Sequence, residues 1–152
     1  MDRRSIILAA GGSAALLGGA FVFQLAGYPP CQMCFWQRWP HGAAIVIGLL
    51  ALILGWRILA WLGALAAAVT AGIGIYHTGV ERDWWEGPAS CTGGGLSGDL
   101  LSLDGPRLIM CDQVSWSLFG LSMASWNALF SIILVVIWVS AALKAKGSSR
   151  TA

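Results

Sequence analysis

Charge is what this sequence has least of. Only 11% of its 152 residues are charged, against 57% hydrophobic, whereas a soluble domain carries about 25% charged residues. That deficit excludes an ordinary soluble fold. The Lys and Arg residues stand singly or in one adjacent pair, with no basic run interleaved with aromatics, so nucleic-acid binding has no support. Solenoid-type repeats are absent too. At this length and composition the chain has room for one polytopic membrane domain and little else. Tryptophan, by contrast, is abundant: nine residues, most of them expected as anchors at the two membrane interfaces.

Four charge-poor runs divide the chain. Ser5–Gly27 holds 23 positions without a charge, against the roughly 20 that cross a bilayer. Gly11, Ala15 and Gly19 recur on it every four residues, a small-residue face that lets membrane helices approach closely. A cleaved signal peptide is the rival reading, but its apolar core is normally about 7–15 residues and this run is longer. Pro29 and Pro30 end it by fixing φ and removing backbone donors. The second span is expected over 39–56, with Pro40 near its start, where proline is tolerated. The third is expected over 58–77, with Ala64, Ala68 and Gly72 on another small-residue face. The fourth is expected within 116–143. The expected fold is therefore all-α: a four-transmembrane-helix bundle of two hairpins in a single domain spanning 1–152.

Basic residues in short loops mark the cytoplasmic side. Arg3, Arg4, Arg57, Lys144, Lys146 and Arg150 fall on one side, and Arg38, Arg82 and Arg107 on the other. Both termini are thus expected in the cytoplasm. The loops around Tyr28–Arg38 and His77–Ser115 then face outward, and all four cysteines with them. In a bacterium that compartment is oxidising and disulfides persist there.

Cys31 and Cys34 form a Cys-x-x-Cys pair, a spacing that fits zinc, a redox couple or an incidental disulfide. As a staple it is poor, because the gain from a disulfide rises with the loop it closes. As a redox couple it is good, because such motifs often lower a thiol pKa. Arg38 lies four residues after Cys34, on the same face if the helix has begun, where its charge favours a thiolate. A structural zinc site wants two close-spaced pairs, and Cys91 and Cys111 are 20 apart, so no metal is expected. Between them, Leu96, Leu100, Leu101 and Leu103 could form a short interfacial helix. An ordinary loop is the equal alternative.

With these residues assembled, the chain resembles the DsbB family, bacterial inner-membrane thiol oxidases linked to quinone. The likeness rests on Cys31-Gln-Met-Cys34-Phe-Trp-Gln-Arg38, on His77-Thr78, on the spaced Cys91 and Cys111, and on Trp116-Ser-Leu-Phe-Gly-Leu-Ser-Met123. It implies that a DsbA-like, thioredoxin-fold periplasmic oxidase attacks Cys91–Cys111, with Cys91 forming the mixed disulfide. Electrons would pass to Cys31–Cys34 through a transient Cys31–Cys91 bond, and from Cys34 to a membrane quinone. Arg38 would hold that quinone and His77 line its pocket, and ubiquinone is expected ahead of menaquinone.

Redox energetics constrain this route. DsbA-type partners sit near about −120 mV and structural disulfides below roughly −300 mV. A pair at the lower value could not oxidise such a partner, so the two pairs must be destabilised or drawn forward by the terminal acceptor. Two other readings compete. One is a vitamin K epoxide reductase-like enzyme, in which the Cys-x-x-Cys follows the loop pair instead of preceding it. The other is a non-enzymatic membrane scaffold with two inert disulfides.

Overall fold

The structure, a computed structural model, describes residues 2–91 and 109–144. Four helices, α1 (Arg3–Leu25), α2 (Gln32–Leu54), α3 (Arg57–Glu81) and α4 (Met123–Leu143), are each long and apolar enough to cross a bilayer. A two-strand hairpin, β1 (Ser117–Leu118) and β2 (Leu121–Ser122), precedes α4. The expected interfacial helix at Leu96–Leu103 and the cations Arg107, Lys146 and Arg150 lie outside the described residues.

The helices form a ring in which α1 packs on α2 and α4, and α3 on the same two. Asp2 caps α1 by accepting from Arg4 N and from Ser5 Oγ, 3.2 and 2.8 Å away. The Ser5 hydroxyl is the main reason its carboxyl lies below the usual range. Lys144 Nζ stands 3.6 Å from the same carboxylate, which ties the start of α1 to the end of α4 at the end of the bundle opposite the cysteines.

Two helix starts differ from the expected spans. α2 starts at Gln32, seven residues early, because a charge-free run must stop at Arg38 while the helix carries that residue inside, with partners for its guanidinium. Pro40 is accordingly not near a helix start but inside α2. Having no N–H, it leaves the Trp36 carbonyl without its helical donor, a defect membrane helices tolerate. α4 starts at Met123, later than 116, because Phe119 and Gly120 both have positive φ (52° and 75°). That pair makes the tight hairpin turn, and Ser122 then caps α4 by accepting from Ser125 N at 3.2 Å.

The packed stripes also fall off the expected small-residue faces, by two positions on α1 and by one on α3. On α1 the buried residues are Ser5, Ile6, Ala9 and Ser13, while Gly11 is exposed and Ala15 and Gly19 line a cavity. On α3 Ala64 is buried, but Ala68 and Gly72 are exposed, and the buried stripe runs through Gly63, Ala67, Thr70, Gly74 and His77. Small residues at a spacing of four mark a close approach but not whether a helix or a void fills it. Trp138 is the exception among the expected anchors, fully buried at the centre of the core. Its indole lies over Gly63, where an added Cβ would meet ring atoms at 2.7 Å. Gly63→Val is therefore expected to lower bundle stability by about 1–3 kcal/mol through overpacking, read as the thermal unfolding midpoint in detergent. An unchanged midpoint would mean that Trp138 has room to move.

Candidate functional site

The site begins where Pro29-Pro30 releases the chain into α2. Cys31 is the N-cap, and its Sγ accepts from Cys34 N at 3.1 Å. A helix N-terminus carries a partial positive charge that favours a thiolate. Cys34, one turn in, brings its Sγ to 2.7 Å from Cys31 Sγ, and neither sulfur is in a disulfide. Its hydrogen bond to Cys34, and after that its burial, hold the Cys31 thiol far above the ordinary range. Cys31 is thus the member of the pair that keeps a proton.

The second pair arrives from the other loop. Cys91 and Cys111 are joined in a disulfide, Cα atoms 5.1 Å apart. Ile109 forms an isolated parallel bridge with Cys31, with Ile109 N donating to Pro30 O at 3.4 Å. This lays 109–111 beside the start of α2. Cys31 Sγ, Cys111 Sγ and a His77 ring nitrogen consequently all lie within 4.8 Å of one another, and all three residues are buried. Cys111, and not Cys91, belongs to this group. The chain pairing holds Cys111 in this group beside Cys31, whereas the expected inter-loop bond joins Cys31 to Cys91.

His77 comes from the last turns of α3. Its Nε2 is 3.4 Å from Cys31 Sγ and 3.8 Å from Glu81 Oε1, and its Nδ1 is 2.9 Å from Gln37 Nε2. The Gln37 amide orientation is set by the Met33 carbonyl, which can only accept and lies 3.3 Å from Gln37 Nε2, and Asn127 Nδ2 donates to Gln37 Oε1 at 2.7 Å. Gln37 Nε2 is therefore the donor to His77 Nδ1, and the His77 hydrogen sits on Nε2, facing Cys31 and Glu81. Glu81 in turn accepts a short hydrogen bond from Ser122 Oγ, which binds the end of α3 to the start of α4.

Arg38 lies one turn beyond Cys34. Its Nη1 donates to Gln24 Oε1 at 2.8 Å and its Nη2 to Ala20 O at 3.5 Å. The guanidinium carbon is 4.9 Å from the ring centres of both Phe21 and Phe35, within cation–π range of each. The fork is thus clamped to α1, and its Nε is buried without a partner among the described residues. Beside it opens a largely apolar cavity of about 400 Å³, lined among others by Ala15, Phe23, Cys34, Arg38, His41 and Phe130.

All six expected site residues, Cys31, Cys34, Arg38, His77, Cys91 and Cys111, stand at one end of the bundle, where α2 and α3 meet the 109–111 segment. Gln24, Gln37, His41, Glu81 and Asn127 were not anticipated from the sequence. A signal for them exists: polar or ionisable residues inside membrane spans are functional candidates by default, and Gln37 and His41 lie four apart, on one face of α2.

The chain is similar to known proteins over nearly its whole length. Residues 2–141 match the family model described as disulfide bond formation protein DsbB. "Disulfide bond formation protein B" of Xanthomonas oryzae pv. oryzae (strain MAFF 311018) is 32% identical, over 90% of this chain and 87% of its own. The protein of that name from Verminephrobacter eiseniae is 33% identical, over 95% and 87%. The Pasteurella multocida protein is 29% identical, over 82% and 78%. No solved structure matches the chain at a significant level.

Proposed function

Since the chain belongs to the DsbB family of membrane disulfide bond formation proteins, we propose that it re-oxidises a DsbA-like dithiol oxidase and passes the electrons to a quinone. It is a multi-pass protein of the bacterial inner membrane, and in this reading the cysteine end faces the periplasm. The observation that carries the proposal is the meeting of Cys111, His77 and Cys31 beside the cavity that Cys34 and Arg38 line.

The thiol chemistry follows from that order. A thiolate of the reduced partner attacks Cys91, a mixed disulfide forms, and Cys111 leaves as a thiolate. The partner's second thiolate then attacks its own sulfur in the mixed disulfide, leaving the partner oxidised and Cys91 and Cys111 reduced. When Cys31 and Cys34 are disulfide-bonded, the Cys111 thiolate attacks Cys31 and Cys34 leaves as the thiolate. Cys91 next attacks Cys111 and displaces Cys31, which restores Cys91–Cys111. His77 Nε2–H, aimed at Cys31, stabilises charge on the displaced sulfur.

The cavity fits a quinone by its own features. Its volume is in the range of small-ligand sites, its walls are largely apolar, and Arg38 and His41 are among the residues that line it. A bound quinone supplies a two-electron, two-proton sink. Arg38 would hold it and stabilise negative charge developing on its oxygen, the electrostatic role that catalysis most often uses.

The test is oxidation of a reduced thioredoxin-fold dithiol partner by the purified protein, with ubiquinone or menaquinone as acceptor. One quinone is expected to disappear per disulfide formed, measured by quinone absorbance against free-thiol titration. Partner oxidation that ignores added quinone would remove the acceptor assignment. No oxidation at all would leave only the inert scaffold.

A further inference from the structure

Glu81 is an acidic residue for which the thiol chemistry above has no use. Its side chain is 7% exposed, whereas Asp83, Glu86 and Asp112 lie exposed at the same end of the bundle. A carboxylate drawn in from water is costly unless it is paired or hydrogen-bonded, and the two oxygens of this one are engaged on different sides. Oε1 stands 3.8 Å from His77 Nε2, on the cavity that Cys31, Cys34 and Arg38 also line. Oε2 accepts the short hydrogen bond from Ser122 Oγ. Ser122 belongs to a second hollow of about 670 Å³, lined also by Glu81, Arg82, Val114, Ser117 and Gly120. Apart from Ser122 and Glu81 these walls are exposed, so the hollow opens to water. Glu81 lines both spaces, and its carboxylate stands between them.

The thiol pair needs a base, and His77 cannot be that base. Cys31 is the sulfur that keeps its proton, and the Cys31–Cys34 disulfide cannot re-form until that proton leaves. A neutral imidazole takes a proton on its bare nitrogen. In His77 that atom is Nδ1, which accepts from Gln37 Nε2 at 2.9 Å on the far side of the ring from Cys31. Gln37 is not free to turn away. Its Nε2 also donates to Met33 O, and Asn127 Nδ2 donates both to its Oε1 and to Thr70 Oγ1. Asn127 is held in turn, because its Oδ1 accepts from His41 Nε2 at 2.9 Å. The His77 nitrogen that faces Cys31, 3.4 Å from Sγ, already carries hydrogen. The Cys34 sulfur must end in the same disulfide and cannot retain the proton. Among the described residues, that leaves Glu81 as the acceptor on this side of His77.

We propose that Glu81 is the proton port of the thiol pair: its carboxylate takes the proton of Cys31, over one water in the shared cavity, and releases it to the outer hollow. One intervening water is within the ordinary reach of a general base. In the step, Cys31 Sγ–H breaks and the S–S bond to the Cys34 thiolate forms. The electron pair passes to the quinone and the proton to Glu81. In the opposite direction the port returns a proton to Cys31 after Cys91 displaces it. This deepens the quinone reading above and rests on it for the electron acceptor. The ionisable groups that face Glu81 among the described residues are His77 on its own helix, Cys31 and Cys34 from α2, and Arg82 beyond the helix end. The hairpin and α4 bring only hydroxyls.

The test isolates this half-reaction. Full-length protein in detergent, reduced by two electrons, is mixed with a short-chain quinone, and quinone absorbance is followed by stopped flow. Glu81→Gln keeps an oxygen for Ser122 but is no base, and is expected to slow the step by about a hundredfold or more. The deficit should shrink as pH rises, because a Cys31 already ionised needs no acceptor. Glu81→Ala leaves a gap beside the outer hollow, and added formate should restore part of its rate while leaving the wild type unchanged. A readout that needs no variant uses the sequence, which holds two glutamates, Glu81 and the exposed Glu86. Time-resolved infrared spectra of wild type labelled with carbon-13 glutamate should show a labelled carboxylic-acid band rise and decay during re-oxidation. A Glu81→Gln protein that re-oxidises at the wild-type rate, a deficit independent of pH, Glu81→Ala without formate rescue, or no labelled band would each overturn the inference. A wild type that quinone does not re-oxidise would instead overturn the function on which it rests.

Discussion

Cys34→Ser is expected to arrest the protein with Cys31 bonded to Cys111 and Cys91 left as a free thiol. Serine at 34 keeps a hydroxyl but cannot carry a thiolate, so the sulfur that holds the proton on Cys31 is gone, and at a given pH a larger fraction of Cys31 becomes thiolate. That thiolate sits against Cys111, half of the Cys91–Cys111 disulfide. Exchange requires a thiolate with access to a disulfide sulfur, and both conditions are met. The normal reverse step, in which Cys34 re-forms a bond with Cys31, is lost. Peptide mapping under non-reducing conditions after alkylation should therefore find a Cys31–Cys111 crosslink with Cys91 alkylated. The rate of trapping should rise with pH as Cys31 ionises and level off above its pKa. Turnover with a reduced partner should fall by on the order of a thousandfold or more, as when a reaction loses a group that acts as a unit with its neighbours. A dominant Cys31–Cys91 crosslink would contradict the geometry and restore the pairing suggested by family resemblance. Full activity without Cys34 would remove it from the electron route altogether.

The parts of this molecule that a sequence displays are those set by the membrane. Bilayer thickness writes itself into charge-free runs, which is why four spans, their order and the common end for all four cysteines are legible without coordinates. Helix starts are less legible where a charge is accommodated inside a span. Arg38 terminates the charge-free run, yet in three dimensions Gln24, the Ala20 carbonyl and two phenylalanine rings receive it. Nothing at positions 20 to 24 announces that they serve a residue on the next helix. The network of Gln37, His41, Thr70, His77 and Asn127 is hidden for the same reason. Its members sit on three helices, and each alone reads as a tolerated polar residue. The Cys31–Cys111 approach was illegible for a different cause: it depends on a parallel bridge between Cys31 and Ile109, a contact no periodicity predicts.

Arg38→Met is expected to weaken use of the quinone far more than the thiol steps. The guanidinium is half-buried, and two of its nitrogens are already committed to α1, so it is held at the cavity wall and not free to swing away. A hydrogen bond from a charged donor contributes about 1.5–3 kcal/mol, and each 1.4 kcal/mol is tenfold. The quinone KM should therefore rise by about tenfold to a hundredfold. If Arg38 also stabilises charge that develops during electron transfer, kcat should fall beyond this, because only interactions stronger in the transition state slow the chemical step when lost. Gln24→Ala supplies the control. It leaves the charge in place and removes only the clamp, so it should raise KM by a few-fold with kcat nearly unchanged. Arg38→Lys separates charge from shape: an ammonium keeps the charge but cannot reach Gln24 and Ala20 with the same planar fork between Phe21 and Phe35, so it should fall between the other two. Steady-state titration of quinone at saturating reduced partner measures all three. Formation of the mixed disulfide between Cys91 and the partner, followed by gel shift, should proceed at the wild-type rate in each variant, since that bond forms before any electron reaches the cavity. Arg38→Met with an unchanged quinone KM would break the link between this arginine and the acceptor. The arginine would then be a packing element between α1 and α2, and the cavity would need another charged contact.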